Sequence, residues 1–560
     1  MTILQQTLLS AAALQPSPTP AIIYLATGQD PLTISRAEFS QKVHEVAAAL
    51  LRLGIQPGDL LVIAHTQNLE SIYAFWAALV AGAIPSMFPT LTEKLDPAIY
   101  QRNLAELVAL SGVKAILTTD EFAAALRPVV GCPVWGNEQL AVTSYQLPVS
   151  SLQSLSLPIS QSSSLPSSTA FLQHSSGTTG LQKGVALSHE AVLNQLTSYS
   201  QAIGLTEQDV IVSWLPLYHD MGLIAGFMLP LVMGVPLVLM SPFDWAQHPA
   251  LLLQAIHDYR GTLCWLPNFA YNHCARRIRQ RDVDGLSLTS MRLFINCSEP
   301  VHHESHQMFL DRFADNGVRP EMLAVSYAMA ENTFAVTQTP PDAAATLDVV
   351  DRHELGKNRA VPVPADHAQA MTLVSCGRAI RGTEVKVMGD RGRGLPDRQV
   401  GEIAIRSDCM LSEYYRRSDL QPFHDGWYHT GDMGYLAEGE LYVVGRQKDL
   451  IINAGKNIYP QDLEAIVNTV PGVYPGRAVV FGVSDEREGT ELIAVIAEVT
   501  TDDPDERKVI NKAIRQEVAR QSQVTVSYVQ LVGERWLIKT SSGKIARAAN
   551  RDKWLSERGE

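Results

Sequence analysis

Residues 35–64, SRAEFSQKVHEVAAALLRLGIQPGDLLVIA, read as a helix, a stop and a strand. Ser35 followed by Glu38 is a capping box, in which side chain and backbone satisfy each other's free donors at a helix start. Phe39, Val43, Val46, Ala47, Leu50 and Leu53 recur at helical spacing. Gly54 stands where a helix C-cap belongs, and Pro57 follows. LLVIA at 60–64 reads as a buried strand. A second helix is expected around Leu69–Ala81, then a strand over Ala83–Phe88, with Pro85 as the residue that argues against it. Helices alternating with apolar strands predict a layered α/β fold with a largely parallel sheet.

Outward from this stretch the chain divides. Eleven of the twenty-five residues 144–168 are serine, with prolines at 148, 158 and 166, which reads as a solvated linker. The α/β pattern resumes at Thr169 and runs past residue 330. Residues 338–370 read as a long connection or insertion. After Val374 the strands shorten (TEVKVM, GEIAIR, WYHTGD, ELYVVG), as in a small β-rich subdomain. Beyond Gly445 a helix near Asp462–Val467, strands at RAVVFGV and ELIAVIAEV, a helix over 504–520 and a strand at YVQLV form a compact α+β unit. The fold class expected is therefore α/β. A large N-terminal domain, residues 1–445, has layered α/β sheets and a small β-rich subdomain. A small mobile α+β C-terminal domain covers residues 446–560.

The 560 residues are 46% hydrophobic and 18% charged, which excludes a disordered or collagen-like chain. The net charge of −13 gives nucleic acid nothing to bind. Six cysteines without a CxxC pair exclude a disulfide scaffold or a thiolate zinc cluster. The amino terminus lacks the positive region of a secretory signal. Met221–Met240 carries no charge over a length that spans a bilayer, but its glycines and prolines break it into a helix, a turn and the strand PLVLM. No membrane span is expected, and the reading is a reduced, cytoplasmic protein.

The sharpest local feature is Gln173-His174-Ser175-Ser176-Gly177-Thr178-Thr179-Gly180-Leu181-Gln182-Lys183-Gly184. Glycines let backbone N–H groups approach phosphate oxygens, hydroxyls donate hydrogen bonds, and lysine supplies charge. It is not a Walker A motif, because Gln182 stands where glycine precedes the lysine, and the loop joins two strands. Alone it reads equally well as a flexible hairpin loop.

HSSGTTGLQKGV resembles the phosphate loop of the adenylate-forming superfamily, which includes acyl-CoA synthetases, fatty-acyl-AMP ligases, peptide-synthetase adenylation domains and luciferases. Further resemblances follow in the family's order between residues 35 and 547. Tyr327-Ala328-Met329-Ala330-Glu331 resembles the motif whose aromatic stacks on adenine and whose glutamate holds magnesium. Ser298-Glu299-Pro300 resembles the adenine-side loop. Tyr428-His429-Thr430-Gly431-Asp432 resembles the motif whose aspartate grips the ribose hydroxyls. Gly445-Arg446-Gln447-Lys448-Asp449 resembles the arginine-bearing hinge, with Lys448 at the hinge position. Ser541-Ser542-Gly543-Lys544 resembles the loop that carries the catalytic lysine.

The resemblance implies attack of a carboxylate on the α-phosphorus of ATP, giving an acyl-adenylate and pyrophosphate. Such a reaction needs cations and N–H donors around the phosphates. Ser175, Ser176, Gly177, Thr178, Thr179, Gly180 and Lys183 would hold the phosphates, Glu331 and Thr178 the Mg²⁺, and Lys544 would bridge carboxylate and α-phosphate. Trp214–Leu223 aligns with the acid-binding segment, where His219, Asp220, Met221 and Gly222 are candidates. His219 is read as touching the substrate carboxylate or gating the pocket, with a core histidine as the alternative. Asn268, Phe269 and Ala270 stand where amino-acid-activating members carry an aspartate, so an ammonium would be unpaired and an apolar acid is expected instead.

LPLYHDMGLI, PNFAY, SEPV and NIYPQDLE look most like fatty-acyl-AMP ligases, which implies transfer to the phosphopantetheine thiol of an acyl carrier protein. Free coenzyme A is the alternative acceptor, because Ser241–Pro249, the TLTEKLDPAIY region and Ile538 depart from the pattern. A catalytically silent scaffold is a further alternative. Arg276, Arg277, Arg279 and Arg281 read as a solvated helix face or a docking site for the acidic carrier. Gly455 lies where the pantetheine arm would pass. Gly455→Leu should therefore abolish thioester formation while acyl-adenylate formation survives, as read by separate assays of the two half-reactions; equal loss of both excludes the tunnel role.

Overall fold

The computed structural model describes residues 7–65, 69–91, 97–140, 169–174, 183–389, 392–453, 456–485, 490–522, 524–540 and 544–558. The serine-rich stretch, Ser175–Gly180 of the glycine-rich loop, Gly455 and Ser541–Gly543 lie outside the described residues.

The capping box forms as read. The Ser35 hydroxyl accepts Glu38 N–H at 3.2 Å, and the Glu38 carboxylate accepts Ser35 N–H at 2.8 Å. The helix runs Arg36–Arg52 and buries Phe39, Val43, Val46, Ala47 and Leu50. Gly54 follows at φ +87°, a backbone state that suits glycine. Phe39 meets Trp76 of the helix Leu69–Val80 edge to face. The strand Leu60–Ile63 runs parallel to Ile84–Met87 on one side and Ala115–Leu117 on the other.

Pro85 sits inside a central strand after all. Ile84 and Phe88 donate to Asp59 and Ile63 on the Leu60–Ile63 side. Alternation along a strand turns the Pro85 nitrogen the other way, toward Thr169–His174, a neighbour joined by the single register pair Ser86–Leu172.

Two large sheets result. One has seven strands and ends in the antiparallel pair Thr169–His174 and Gly184–Ser188, extended by Glu413–Tyr414. The other has nine strands, and its central strands Leu323–Ala328, Leu293–Asn296, Leu263–Leu266, Ile211–Ser213, Leu237–Met240 and Pro20–Leu25 are all parallel. One continuous apolar cluster fills the space between the elements of both sheets, with Phe75 packed against both Phe171 and Phe227.

The uncharged stretch folds as a helix, a turn and a strand. Its first part, Met221–Met228, is a π-helix, followed by Leu229–Met233 in α-conformation and the strand Leu237–Met240. Among the described residues no helix is long and apolar enough to cross a membrane.

The expected β-rich unit is a five-stranded antiparallel sheet built from Thr383–Met388, Gly401–Ser407, Phe423–His424, Trp427–Ala437 and Glu440–Arg446. The region 338–370 has more structure than a loose connection. Leu347–Asp351 pairs antiparallel with Ala370–Val374, with the short helix Arg352–Leu355 after the first strand.

The smaller C-terminal domain folds around Val473–Asp485, Thr490–Val499 and Tyr528–Val532, covered by the helices Pro460–Val467 and Pro504–Ser522. Its own core joins Leu463, Val467, Val480, Val495 and Ile514. The inserted hairpin meets this domain directly. Arg352 Nη1 donates to the Gln521 carbonyl at 2.8 Å, Asn457 Nδ2 to Asn358 Oδ1 at 3.1 Å, and the Tyr459 ring joins Val350, Leu355 and Tyr435.

Beside Arg352 the partly buried carboxyl of Asp462 is pushed up to about 7 by burial, reinforced by Glu464 and opposed by Arg352. A carboxyl raised in the folded state holds its proton there after the unfolded chain has lost its own, so stability falls as pH rises from about 4 to about 7. Asp462→Asn should stabilise the protein at pH 8 by about 1–2 kcal/mol. In denaturant titrations that gain should shrink as pH is lowered to 5.

Candidate active site

The loops that leave the carboxyl ends of the parallel strands meet on one rim, the usual ligand position in open α/β sheets. Leu293–Asn296 leads to Ser298-Glu299-Pro300, Leu263–Leu266 to Asn268 and Phe269, Ile211–Ser213 to His219 and Asp220, and Leu323–Ala328 to Glu331.

On the nucleotide side, the Tyr327 hydroxyl donates to Asp432 Oδ2 at 2.6 Å. Arg446 Nε lies 3.2 Å from Asp432 Oδ1, and Asp432 and Arg446 are register partners on adjacent strands. The aromatic, the carboxylate and the guanidinium are thus set by the β-sheet ladder. Ala328 and Met329 lie beside Tyr327, partly buried.

Glu331 follows in a short turn. The next residues make a tight γ-turn, with Thr333 at φ +61° and Phe334 N–H donating to the Asn332 carbonyl at 2.5 Å. A β-branched residue is strained there, and its surroundings hold it. The Thr333 hydroxyl donates to the Cys409 carbonyl at 2.7 Å, and its own carbonyl accepts Gln173 Nε2 at 3.1 Å. Gln173 begins the glycine-rich loop, so the turn that follows Glu331 and the root of that loop are tied together. His174, next in line, bonds Ser86 Oγ through Nε2 at 2.7 Å; burial lowers its pKa to about 4, so it is neutral at neutral pH.

Glu331 Oε1 accepts the Tyr414 hydroxyl at 3.2 Å. Burial raises its carboxyl above the ordinary value, while its own backbone N–H, Tyr414 and Arg446 pull it back. A partly buried carboxylate fits a hard divalent cation that takes its remaining ligands from phosphate and water. Among the described residues no cluster of three or more His, Cys, Asp or Glu side chains holds a metal unaided.

Positive charge converges here. The Lys183 ammonium lies 4.8 Å from the Tyr414 ring centre. The Lys448 ammonium is depressed by burial and then by the charge of Arg446, with Lys183 adding to it.

On the acid side, His219 Nδ1 lies 2.5 Å from Asp220 Oδ1, a close polar contact too bent for a regular hydrogen bond. Asp220 also accepts Met221 N–H at 2.8 Å. Burial works against its ionisation, yet His219 and Lys544 hold its pKa below the usual range. Met221, Gly222 and Ala270 are buried.

Asn268 is wholly engaged inside the protein. It donates to Ser305 Oγ at 3.0 Å and accepts from Asn296 Nδ2 and His302 N–H, both at 3.1 Å. It therefore fixes the loop rather than facing the rim. Glu299 accepts Phe269 N–H at 3.0 Å, so its carboxylate caps the helix Asn268–Arg277 where Pro267 has no side chain to do so. Phe269 itself is exposed.

The catalytic-lysine candidate comes from the other domain. Lys544 Nζ donates to the Ser298 carbonyl at 2.5 Å, and Ser298 holds φ +70°. Its charge reaches Asp220, which brings the C-terminal lysine, the adenine-side loop and the acid segment to one point. Of the four arginines, Arg276 and Arg277 end the helix and Arg279 and Arg281 lie beyond it, all exposed.

Sequence reading missed Tyr414, Tyr428 as its partner, and Ser86. Tyr414 and Ser86 sit in no motif with a recognisable spacing, Tyr428 stands in the Tyr428–Asp432 motif without a role of its own, and the strand Glu413–Tyr414 is only two residues long.

Residues 9–415 match the AMP-binding enzyme family. The chain belongs to that family. It is 32% identical to the medium-chain-fatty-acid–[acyl-carrier-protein] ligase JamA of Moorena producens, over 96% of this chain and 92% of that one. It is 30% identical to the long-chain-fatty-acid–AMP ligase FadD32 of Mycolicibacterium smegmatis, over 94% and 89%. A solved chain from a study of fatty acyl-adenylate ligases of E. coli and L. pneumophila superimposes with a TM-score of 0.88 at 27% identity, covering 99% of this chain and 98% of that one. As in other AMP-binding enzymes, the chain is an α/β protein with a large N-terminal and a smaller C-terminal domain.

Gly222 shows how closely this site is packed. A Cβ there would stand 2.2 Å from the Pro216 carbonyl oxygen, a backbone atom with no freedom to yield. Gly222→Ala should displace the His219–Asp220 segment. The expected outcome is a loss of about 1–3 kcal/mol of stability and a raised KM for the acid with the KM for ATP less affected, measured by unfolding and pyrophosphate release.

Proposed function

We propose that this AMP-binding enzyme activates an apolar, fatty-type carboxylic acid as its adenylate and transfers the acyl group to the phosphopantetheine thiol of an acyl carrier protein. The observation that carries the reading is the Lys544 ammonium resting on the Ser298 carbonyl beside Asp220. A cation between the Ser298 loop and the Asp220 segment supports a meeting of carboxylate and α-phosphate there.

In the first step a carboxylate oxygen forms a bond to the α-phosphorus of ATP. The bond from that phosphorus to the bridging oxygen breaks, and pyrophosphate leaves. Charge grows on phosphoryl oxygens, and prearranged cations stabilise it without reorganising. Lys544 neutralises the approaching carboxylate and the α-phosphate. Lys183, with Ser175, Ser176, Gly177, Thr178, Thr179 and Gly180, holds the β- and γ-phosphates. Glu331 and Thr178 would hold Mg²⁺, which supplies charge neutralisation on the phosphates when bound. Asp432 accepts the ribose hydroxyls, Arg446 fixes Asp432, and Tyr327 offers its face to adenine. His219 and Asp220 line the approach of the acid.

In the second step the thiol sulfur attacks the acyl carbonyl and AMP departs. We assign the hinge between residues 1–445 and 446–560 to Lys448, so that the small domain turns between the steps. The relatives' names support a carrier-protein acceptor, and the cytoplasm is the compartment we assign.

Lys544→Ala should lower acyl-adenylate formation by at least about a hundredfold, measured by single-turnover release of pyrophosphate with a medium-chain acid. A rate equal to that of the unmodified protein removes the reading. Thioester formed with coenzyme A and not with a carrier protein replaces the acceptor while leaving the first step intact.

A further inference from the structure

Tyr414 touches both Glu331 and Lys183, the carboxylate and the ammonium assigned to the metal and the phosphates. Its hydroxyl lies 3.2 Å from Glu331 Oε1 and 3.0 Å from the Tyr428 hydroxyl. An ionised carboxylate only accepts, so the protons run from Tyr428 to Tyr414 to Glu331. On its face the Tyr414 ring carries the Lys183 ammonium, 4.8 Å from the ring centre and within cation–π range.

The backbone reinforces this double contact. Leu411 N–H donates to the Glu331 carbonyl at 2.8 Å. Three residues on, Tyr414 pairs with Val185 in the strand that begins immediately after Lys183, and Tyr415 N–H donates to the Gly184 carbonyl at 2.8 Å. The segment 411–415 therefore ties the Glu331 turn to the exit of the glycine-rich loop. Tyr414 and Tyr428 are 6% and 8% exposed, so water competes little for their hydroxyls.

We propose that Tyr414 is a positioning residue that sets the metal-side carboxylate of Glu331 through its hydroxyl and the phosphate-side ammonium of Lys183 through its ring. The two groups that must close on the same triphosphate are thereby held at a fixed separation before ATP arrives. This inference rests on the adenylation reading.

Two variants separate the two roles. Tyr414→Phe keeps the ring and loses the hydroxyl; Tyr414→Leu loses both. Binding is measured without acid or acceptor, by electron paramagnetic resonance of Mn²⁺ in the presence of ATP, with calorimetry of ATP at saturating Mg²⁺. Tyr414→Phe should need roughly tenfold more free Mn²⁺ to form the ternary complex, the worth of one hydrogen bond to a charged group. Its ATP affinity at saturating metal should stay within about twofold of the unmodified protein, since the cation–π contact survives. Tyr414→Leu should weaken both. Tyr428→Phe, which removes only the outer hydroxyl, should shift the Mn²⁺ isotherm in the same direction by less.

Superimposable Mn²⁺ isotherms for Tyr414→Phe and the unmodified protein overturn the proposal. So does equal loss of metal and nucleotide binding in the Phe and Leu variants, which is the signature of a merely structural tyrosine. Unfolding midpoints confirm that the variants are folded, and Tyr428→Phe gives a readout should Tyr414→Leu fail to fold. Absence of pyrophosphate release by the unmodified protein with any acid sinks the adenylation reading itself; intact release with unchanged Mn²⁺ binding sinks only the role of Tyr414.

Discussion

A carboxylate and a triphosphate repel each other, and everything at this site answers that repulsion. Joining them requires positive charge that is already in place, because in a site shielded from water there is little solvent to supply it. The protein gathers Lys183, Arg446, Lys448 and Lys544 from three separate segments. Their mutual repulsion is visible in Lys448, whose ammonium is depressed by burial and by its cationic neighbours. Such a cluster costs stability in the absence of anions, which is consistent with a site made for a polyphosphate rather than for its own cohesion.

The cluster holds because the elements beneath it are stiff. Asp432 and Arg446 are fixed as partners in an antiparallel ladder. Gln173, Thr333 and Cys409 cross-link the start of the glycine-rich loop, the strained γ-turn and the turn after the strand Gly401–Ser407. Glu299, Asn268, Asn296 and His302 bind the adenine-side loop to the acid-side helix. Among the described non-glycine residues with positive φ, Ser298 and Thr333 are two that adjoin proposed reacting groups. The ordered hairpin at Leu347–Val374 adds a contact with the C-terminal domain through Arg352, so the pose of Lys544 is supported from outside the site as well.

Much of this was legible in the residues. The capping box at Ser35, the stop at Gly54, the alternation of helix and strand and the broken apolar stretch all depend on local chemistry, and the folded chain shows each. Pro85 misled because its missing N–H matters only on one side of a strand, and which neighbour lies on that side is a tertiary fact. Asn268 was read toward the substrate because position along the chain resembled a binding residue. Its carboxamide instead finds partners at Asn296, His302 and Ser305, all from a later part of the sequence. Tyr414 gave no signal, since a single tyrosine on a two-residue strand has no period and no motif.

The sequence by itself determined the element pattern, the small flexible residues and hydroxyls suited to phosphate, and the order of the motifs, because helix caps, strand burial and glycine loops are written in neighbouring residues. Only the tertiary structure decided which charges face one another. Lys544 meets a carbonyl 246 positions away, and Tyr414 meets a carboxylate 83 positions away. Contacts across such separations follow from how sheets stack and strands pair, and no local pattern encodes them.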